Sequence, residues 1–362
     1  MKHRNKKVSS WSQKPEMTVG LDLGDRVSHY CILESHGEVM EEGRVATTEK
    51  ALRQQFTAGP RYRIALECGT HSPWVSRRLE QWGHQVIVAN AREVRSVTAS
   101  VSKSDRQDAE QLARLAHADP RLLKPIRHRS PARQRDLNLL RARDTLVRAR
   151  TLLINSLRGV VKSAGGRLPH CSSASFPTRA AAALPAEIAP VATPVLEQVA
   201  SLNAHIRRFD QHIETLAGRY PEIRLLRSAP GVGPIVAAAY VLTLGRADAV
   251  THSRQVGAWL GLRPRRHQSG DSDPQRSISK AGNRYLRSLL VQSAHYILGR
   301  FGPDSALRRW GLQLAGTGNL GAKKRAIVAV ARKLAVILHC LWRTGQSYQP
   351  FPPPAPALAG KT

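Results

Sequence analysis

Apolar residues recur at every second position in the first part of this chain, and at every seventh position after Pro125 and Pro131. Side chains of a β-strand alternate between two faces, whereas a seven-residue repeat is typical of paired helices. One type of secondary structure cannot satisfy both periods, so the two parts of the chain must differ. The sequence therefore predicts an α/β N-terminal domain, followed by long coiled-coil helices and an all-α C-terminal domain.

The alternating part contains predicted strands that are separated by glycine-containing turns and by two helical stretches. Two turns are marked by Gly24-Asp25 and His36-Gly37. A further helix follows the last strand, and Ser104 or Asp105 is placed to cap its first turn. The predicted order is β-β-β-α-β-α-β-α, with strands at 18–23, 29–33, 39–45, 62–66 and 85–88 and helices at 49–56, 73–82 and 104–117.

The helical part contains two apolar repeats on either side of a stretch rich in Gly, Pro, Ser and Ala. The first repeat is Leu139, Leu146, Leu153 and Val160, flanked by Leu140, Val147, Ile154 and Val161. The second runs through Val195, Val199, Leu202, Ile206, Phe209, Ile213 and Leu216 in steps of four and three, as a and d positions do. An internal helical hairpin and a dimerisation coiled coil explain these seams equally well.

The chain as a whole divides into five predicted segments. They are a basic N-terminal extension at 1–15, the α/β domain at 16–125, a helical region at 126–222 with an internal loop at 165–194, a C-terminal domain at 223–345 and a disordered tail at 346–362.

The charge balance narrows the class of partner. Lysine and arginine number 56 against 26 acids in 362 residues, a net charge of +30, which attracts phosphate backbones or anionic membranes. The longest apolar stretch, 326–342, is interrupted by Arg332 and Lys333 and so cannot be a membrane span. The basic residues near the start precede no apolar segment, and the four cysteines form no CxxC pair. We expect a cytoplasmic protein with no membrane partner and no disulfide or zinc framework.

Four acids stand at positions where surface charge is not the simplest explanation. Asp22 lies among apolar residues of the first strand, and Glu67 ends the fourth. The two would meet if these strands are neighbours. Asp105 and Asp108 are three residues apart and share one face of a helix. Grouped like charges repel, and a divalent ion would convert that repulsion into attraction.

The strand order and the placement of these acids resemble the ribonuclease H-like fold of the RuvC resolvases. More closely, Gly20-Leu21-Asp22, Leu66-Glu67 and the stretch 103–108 resemble the DEDD tetrad of the insertion-sequence transposases related to the Piv invertase. The resemblance implies a RuvC-like DEDD domain at 16–125 that holds two divalent ions, Mg²⁺, on Asp22, Glu67, Asp105 and Asp108. Such ions activate the attacking oxygen and stabilise the leaving oxygen in phosphoryl transfer.

The C-terminal part carries a second resemblance to the same family. Gly231 and Gly233 precede an apolar helix at 235–244. These glycines let backbone N–H groups at the start of the helix approach a phosphate, or they form only a tight turn between two helices. The run from Trp259 to Arg287 resembles the second transposase domain, at 223–345 here, in which a serine before glycine is the nucleophile. That position is Ser269, with Ser272, Ser277 and Ser279 as rivals; Ser279 is also placed to cap the next helix. Nearby cations could neutralise phosphate charge: Arg263, Arg265, Arg266, Arg276 and Lys280.

The resemblance implies a DNA recombinase that forms a serine-linked DNA intermediate at a site assembled between protomers of a dimer or tetramer. It also implies two kinds of nucleic-acid partner: DNA, as element ends and target, and a structured noncoding guide, the bridge RNA. Aromatic residues are only 5% of the chain, which limits base stacking by the protein. The alternatives are a RuvC-like nuclease or Holliday-junction resolvase that uses water, a non-catalytic scaffold and, least favoured, an actin-like ATPase.

Overall fold

Two compact units divide the chain, Met1–Arg129 and Ser130–Thr362. The computed structural model describes residues 16–90, 104–266, 268–270, 272, 274, 276–316 and 318–352. The predicted N-terminal extension, Lys103 of the tetrad motif and residues 353–362 of the predicted tail lie outside these ranges.

The first unit is built on a five-stranded sheet in the order β3-β2-β1-β4-β5. β1 pairs antiparallel with β2 and parallel with β4, and β4 pairs parallel with β5. The helices and strands follow the predicted order within one or two residues at each end. Their bounds are β1 Thr18–Asp22, β2 Val27–Leu33, β3 Val39–Ala46, α1 Glu49–Thr57, β4 Arg63–Glu67, α2 Ser72–Gln81, β5 Gln85–Ala89 and α3 Asp105–Ala118.

Alternation along the strands sends side chains to two different layers. Leu21, Ile32 and Leu66 are buried with α1 and α2 on one face. The positions between them, such as Cys31 and Ala65, pack against α3 on the other face. Because the side-chain period is two, Asp22 and Glu67 both belong to the α3 face.

The second unit is mostly helical, as predicted. Among the described residues, 3₁₀ turns lie at Ala186–Ile188, Ala247–Ala249 and Ser253–Gln255 in this unit and at Pro120–Leu123 in the first. The α-helices of the second unit are α4 Pro131–Ser163, α5 Phe176–Ala181, α6 Ala189–Arg219, α7 Glu222–Leu226, α8 Pro234–Leu244, α9 Val256–Trp259, α10 Arg284–Leu298, α11 Ala306–Ala315 and α12 Leu320–Thr344. None of the helices in the described ranges is long and apolar enough to cross a membrane.

The two long helices α4 and α6 pair with each other inside the unit. Arg143 bonds Asp210 at 2.7 Å and Arg150 bonds Asn203 at 2.9 Å, so residue numbers rise on one helix as they fall on the other and the pair is antiparallel. The buried column of α4 is the flanking one, which includes Leu140, Ile154 and Val161; Val160 of the predicted seam is exposed. The two helices thus pair within the chain, as the internal-hairpin interpretation predicts.

The prediction of a loop at 165–194 is wrong in two places, because the structure has helices there. This segment contains α5, whose Phe176 is fully buried against the hairpin, and α6 already begins at Ala189. Pro194 lies inside α6. A proline there removes one backbone hydrogen bond, and the apolar face of a 31-residue helix outweighs that loss.

The core of the second unit gathers around α8, which is apolar on all sides and buried from Ala237 to Leu244. Tyr240 is fully buried and its hydroxyl donates to the Ala335 carbonyl of α12 at 2.7 Å. α10, α11 and α12 complete the packing around it. This core supports the segment 259–283, which carries the predicted serine.

Candidate active site

The ends of β1 and β4 bring two of the four predicted acids together. The registered pairs of these parallel strands run from Thr18↔Arg63 to Leu21↔Leu66, and Asp22 and Glu67 come next on each strand. Both face the α3 layer. The sheet thus delivers two carboxylates to one edge, as the sequence predicted.

α3 supplies the other two acids from its first turn. Ser104 is the N-cap, and its hydroxyl accepts the backbone N–H of Gln107 at 3.3 Å. Asp105 and Asp108 follow in the first turn, where the helix dipole favours negative charge. The cap is therefore Ser104, and Asp105 is left for the site.

Gly20 sets how closely α3 approaches the sheet. A Cβ on Gly20 would lie 1.9 Å from the Ala109 carbonyl oxygen and 2.5 Å from the Ala113 nitrogen, so no other residue fits while the helix stays in place. At the other end of α3, the buried Arg63 of β4 reaches the Ala116 carbonyl at 3.4 Å. Both contacts hold α3 directly over β1. Gly20 belongs to the predicted motif, but its packing role becomes visible only in the structure.

The electrostatics of Asp22 show that the four acids act on one another. Burial, followed by the negative charges of Asp105, Asp108 and Glu67, raises the pKa of Asp22 from its usual 3.8 to about 6. Above that pH the folded protein holds a half-buried carboxylate among other carboxylates. A cation between them would remove the repulsion.

The donor set suits a hard divalent ion, because carboxylate oxygens are the ligands that Mg²⁺ prefers. As the side chains stand, no group of three or more His, Cys, Asp or Glu within the described ranges is arranged to hold a metal ion. The mutual repulsion at Asp22 is nevertheless the condition that a bound cation relieves. The residues therefore fit a divalent ion by charge and by chemistry.

His29 belongs to this cluster although its sequence context did not identify it. It is the registered β2 partner of Asp22, and its Nδ1 lies 3.7 Å from Asp105 Oδ2. Its charge opposes the other influences and lowers the pKa of Asp22. A lone histidine on a strand has no recognisable spacing, and only the strand register relates it to Asp22.

Ser269 lies near the tip of an exposed β-hairpin in the second unit. Antiparallel bridges join Pro264 to Ile278 and Ser269 to Ser272, and Ser269 and Ser272 exchange backbone hydrogen bonds of 3.0 and 3.1 Å. Gly270 follows with φ +55°, a left-handed conformation that favours glycine at this turn. Ser269 is exposed at this position.

The rival serines have different surroundings. Ser272 and Ser277 are exposed, like Ser269. The Ser279 hydroxyl accepts the Ala281 N–H at 3.4 Å, while the side chain of Asn283 caps α10 by accepting the Leu286 N–H at 2.9 Å. The suggestion that Ser279 caps the following helix is thus wrong, because that helix begins five residues later.

At the base of the hairpin, two glycines let neighbouring backbone segments lie very close together. A Cβ on Gly261 would lie 2.2 Å from the Ala281 nitrogen, and one on Gly282 would lie 2.1 Å from the Trp259 carbonyl oxygen. The cations predicted to contact nucleic acid are all exposed around this base: Arg263, Arg265, Arg266, Arg276 and Lys280.

The predicted phosphate-binding glycines occupy a turn between α7 and α8. Gly231 has φ +72°, and a Cβ there would press on the Ser293 carbonyl oxygen at 3.0 Å, so the turn itself requires this glycine. Gly233 has no neighbour within 4 Å of a Cβ and is the N-cap of α8. Open space therefore lies in front of Gly233.

Comparison with known proteins covers both units. A family model described as the transposase IS116/IS110/IS902 family matches residues 223–308, and a model of the IS110 DEDD transposase matches residues 19–165. The chain is 30% identical to a probable family 20 transposase of Pseudomonas aeruginosa, over 92% of this chain and 98% of that protein. It is 25% identical to the transposase for insertion sequence element IS1111A of Coxiella burnetii, over 93% of each chain. It is also 29% identical to the pilin gene-inverting protein of Moraxella lacunata, over 40% of this chain and 45% of that protein.

A sheet with acids gathered at one edge, joined in sequence to a basic helical unit, defines a class of enzyme that acts on phosphodiesters. The chain belongs to the IS110/IS116 family of insertion-sequence transposases. It is a DNA transposase, and the DEDD type of its first unit indicates the use of a divalent metal. The scaffold and ATPase alternatives do not agree with this membership.

Proposed function

We propose that this transposase cuts and rejoins DNA at a composite site formed by Asp22, Glu67, Asp105 and Asp108 of one unit and Ser269 of the other. The observation that carries the proposal is the placement of Asp22 and Glu67 at the ends of neighbouring strands, where burial and then the charges of Asp105, Asp108 and Glu67 raise the pKa of Asp22. Supporting it is the sheet order β3-β2-β1-β4-β5 with α3 over β1. We interpret this unit as a ribonuclease H-like domain of the RuvC type.

The four acids would hold two Mg²⁺ ions per site. When bound, such ions supply Lewis acidity and neutralise charge at the reacting phosphodiester. The protein's own part is to keep the carboxylates ionised and in place. The Gly20 contact and the Arg63 contact hold α3 over β1, and His29 offsets part of the negative charge at Asp22.

Ser269 would act as the nucleophile from the hairpin tip. Its Oγ attacks the phosphorus, a P–Oγ ester forms, and the bond from phosphorus to the leaving deoxyribose oxygen breaks. The serine proton leaves to solvent, and the departing oxygen takes up a proton. One phosphodiester is exchanged for another, so the reverse reaction onto a new strand needs no external energy source.

The exposed cations around the hairpin, together with the open turn at Gly233, would position the DNA backbone. They are Arg263, Arg265, Arg266, Arg276 and Lys280. We further propose that acids and serine come from different protomers of a dimer or tetramer, as the resemblance to the family implies. Recognition of element ends and target would rest on a structured noncoding bridge RNA, whose base pairing reads sequence while the protein grips backbone.

The test is a trapped reaction on nicked substrate DNA, resolved under denaturing conditions. We expect a protease-sensitive protein–DNA adduct that is absent in Ser269→Ala and in Asp22→Ala. An adduct that survives Ser269→Ala but disappears in Ser272→Ala would move the nucleophile within the hairpin. Efficient cleavage without an adduct on any substrate would support the alternative, a RuvC-like nuclease or resolvase that uses water.

A further inference from the structure

A groove along α12 is not explained by the proposed chemistry. It consists of two adjoining cavities of about 630 and 530 Å³, which share Ala329 and Arg332 in their walls. Each volume is in the range of sites that bind a small organic group. The groove lies within the second unit, and the base of the Ser269 hairpin forms part of one wall through Pro264 and Ile278.

The floor of the groove is apolar. Leu262, Ile278 and Val328 line the larger cavity, and Trp310 and Val336 line the smaller one. A solvated basic surface has no need of such a floor, because water covers it. The floor offers flat contact area for a planar, weakly polar group.

The rim is strongly cationic. α12 contributes Lys324, Arg325, Arg332 and Lys333, and Arg254, Arg263 and Arg276 stand around the other sides. None of the described residues that line either cavity is Asp or Glu, and none of these seven cations pairs with an acid in the described ranges. Some arginines of the same unit do pair with acids, for example Arg309 with Asp304 and Arg246 with Asp248. Seven cations around two cavities that no described acid lines indicate an anionic occupant.

Two of the cations are held in place by packing. A Cβ on Gly257 would lie 2.7 Å from Arg332 Cγ, so the aliphatic part of Arg332 lies across that glycine. The Lys333 ammonium sits 4.1 Å from the centroid of the Trp310 ring. Charge is thus fixed beside apolar and aromatic surface.

We propose that this groove binds unpaired nucleotides of a single nucleic-acid strand, with the phosphates on the cationic rim and the bases on the apolar floor. A duplex would use only the rim, because its bases are stacked inside the helix and the floor would stay empty. An acidic peptide would also match the rim, but it brings no flat apolar groups for the floor. Base contacts of this kind tolerate any sequence, since every base has a π-face. Binding in the groove does not depend on the proposed reaction at Ser269.

The experiment measures binding by the full-length protein in EDTA, so that cleavage and metal play no part. The probes are a fluorescent twelve-nucleotide dT strand, the matching rU strand and a blunt duplex of the same length. Ala329→Leu narrows both cavities without changing charge, and Arg332→Gln removes a charge shared by both. The matched control is Lys323→Gln, an exposed cation on the same helix that lines neither cavity.

We expect Ala329→Leu and Arg332→Gln to weaken single-strand binding by about ten-fold or more and duplex binding by less than about two-fold. Lys323→Gln should change both by less than about two-fold, because Lys323 lies outside the groove and one exposed cation contributes little among many phosphate contacts. A larger loss with rU than with dT would assign the groove to RNA, and the reverse would assign it to DNA; either supports the proposal.

Equal losses for single strand and duplex, or unchanged single-strand binding in Ala329→Leu, would overturn it. So would displacement of the strand by a poly-glutamate peptide as effectively as by unlabelled dT strand at the same charge concentration. Intact duplex binding in each variant shows that the protein is folded. Because neither Ser269 nor metal is involved, failure here is distinct from failure of the proposed reaction.

Discussion

The two units of this transposase differ most in how they place charge. The first unit holds 22 basic and 15 acidic residues, a net of +7, and the second holds 34 and 11, a net of +23. At one sheet edge of the first unit, burial and then the charges of three neighbouring acids raise the pKa of Asp22. Cations of the second unit surround an exposed serine hairpin and an apolar groove. This contrast favours different roles for the two units: the acids of the first attract cations, and the cations of the second attract phosphates.

The largest expected effect is the loss of cleavage when an acid of the first unit is replaced. Replacing Asp22 or Asp108 by Asn should lower cleavage by ~10³-fold or more, because metal-based stabilisation of several kcal/mol is lost. DNA binding should persist, since the change removes negative charge from a basic protein. Glu110→Gln is the matched control on α3, and it should keep activity. Full metal-dependent activity in Asp108→Asn would mean that the tetrad is misassigned.

The next largest effect is the salt dependence of DNA binding, which we attribute to the cations of the second unit. Affinity for duplex DNA should fall by roughly 10³-fold between about 50 and 200 mM salt if six or more phosphates are engaged. Arg263→Gln combined with Arg276→Gln should reduce the slope of the logarithmic plot, whereas Glu67→Gln should leave it unchanged. A nearly flat titration would show that the second unit does not act through phosphate contacts.

A smaller effect comes from the packing that joins the acids. Gly20→Ala places a methyl group on the backbone of α3 and should displace Asp105 and Asp108 from Asp22. We expect a ten- to hundred-fold loss of cleavage, on the order of what a displacement of about 1 Å costs, with weaker activation by Mg²⁺. Gly69→Ala is the control, because its Cβ would meet nothing within 4 Å. Unchanged Mg²⁺ dependence in a folded Gly20→Ala protein would contradict this role.

Much of this arrangement follows from the sequence, and the exceptions have physical reasons. The strands were predictable because a period of two and glycine turns define both face and end. The phase of the α4 seam was not, since Leu139 and Leu140 each begin a seven-residue column and only the partner helix selects the buried one. His29 depends on the register between β1 and β2. Ser269 is a prediction from the motif, and the placement of its hairpin depends on backbone contacts at Gly261 and Gly282.

The smallest expected effect is on stability. Because the folded-state pKa of Asp22 is raised, this group stabilises the protein at low pH, and the contribution is lost as pH rises from about 4 through about 6. In EDTA at about pH 7.5, Asp22→Asn should be more stable than the wild type by about 1–2 kcal/mol, after allowance for solvent screening of a half-buried group. Chemical denaturation measures this, and the difference should shrink below about pH 4. Added Mg²⁺ should stabilise only the wild type. A less stable Asp22→Asn protein would show that Asp22 is not under electrostatic stress.

In the proposed reaction, acids and serine from different protomers complete one site, and mixing two inactive variants tests this arrangement. Asp22→Ala protein and Ser269→Ala protein are mixed under conditions that allow subunit exchange, and the covalent protein–DNA adduct is measured. Each variant alone should form none. In a dimer with random exchange, the mixture should restore about a quarter of the wild-type adduct, because half of the dimers are mixed and each holds one complete site. The adduct should be attached only to the Asp22→Ala chain, which carries the intact serine. A mixture that exchanges subunits yet forms no adduct would contradict assembly of the site between protomers.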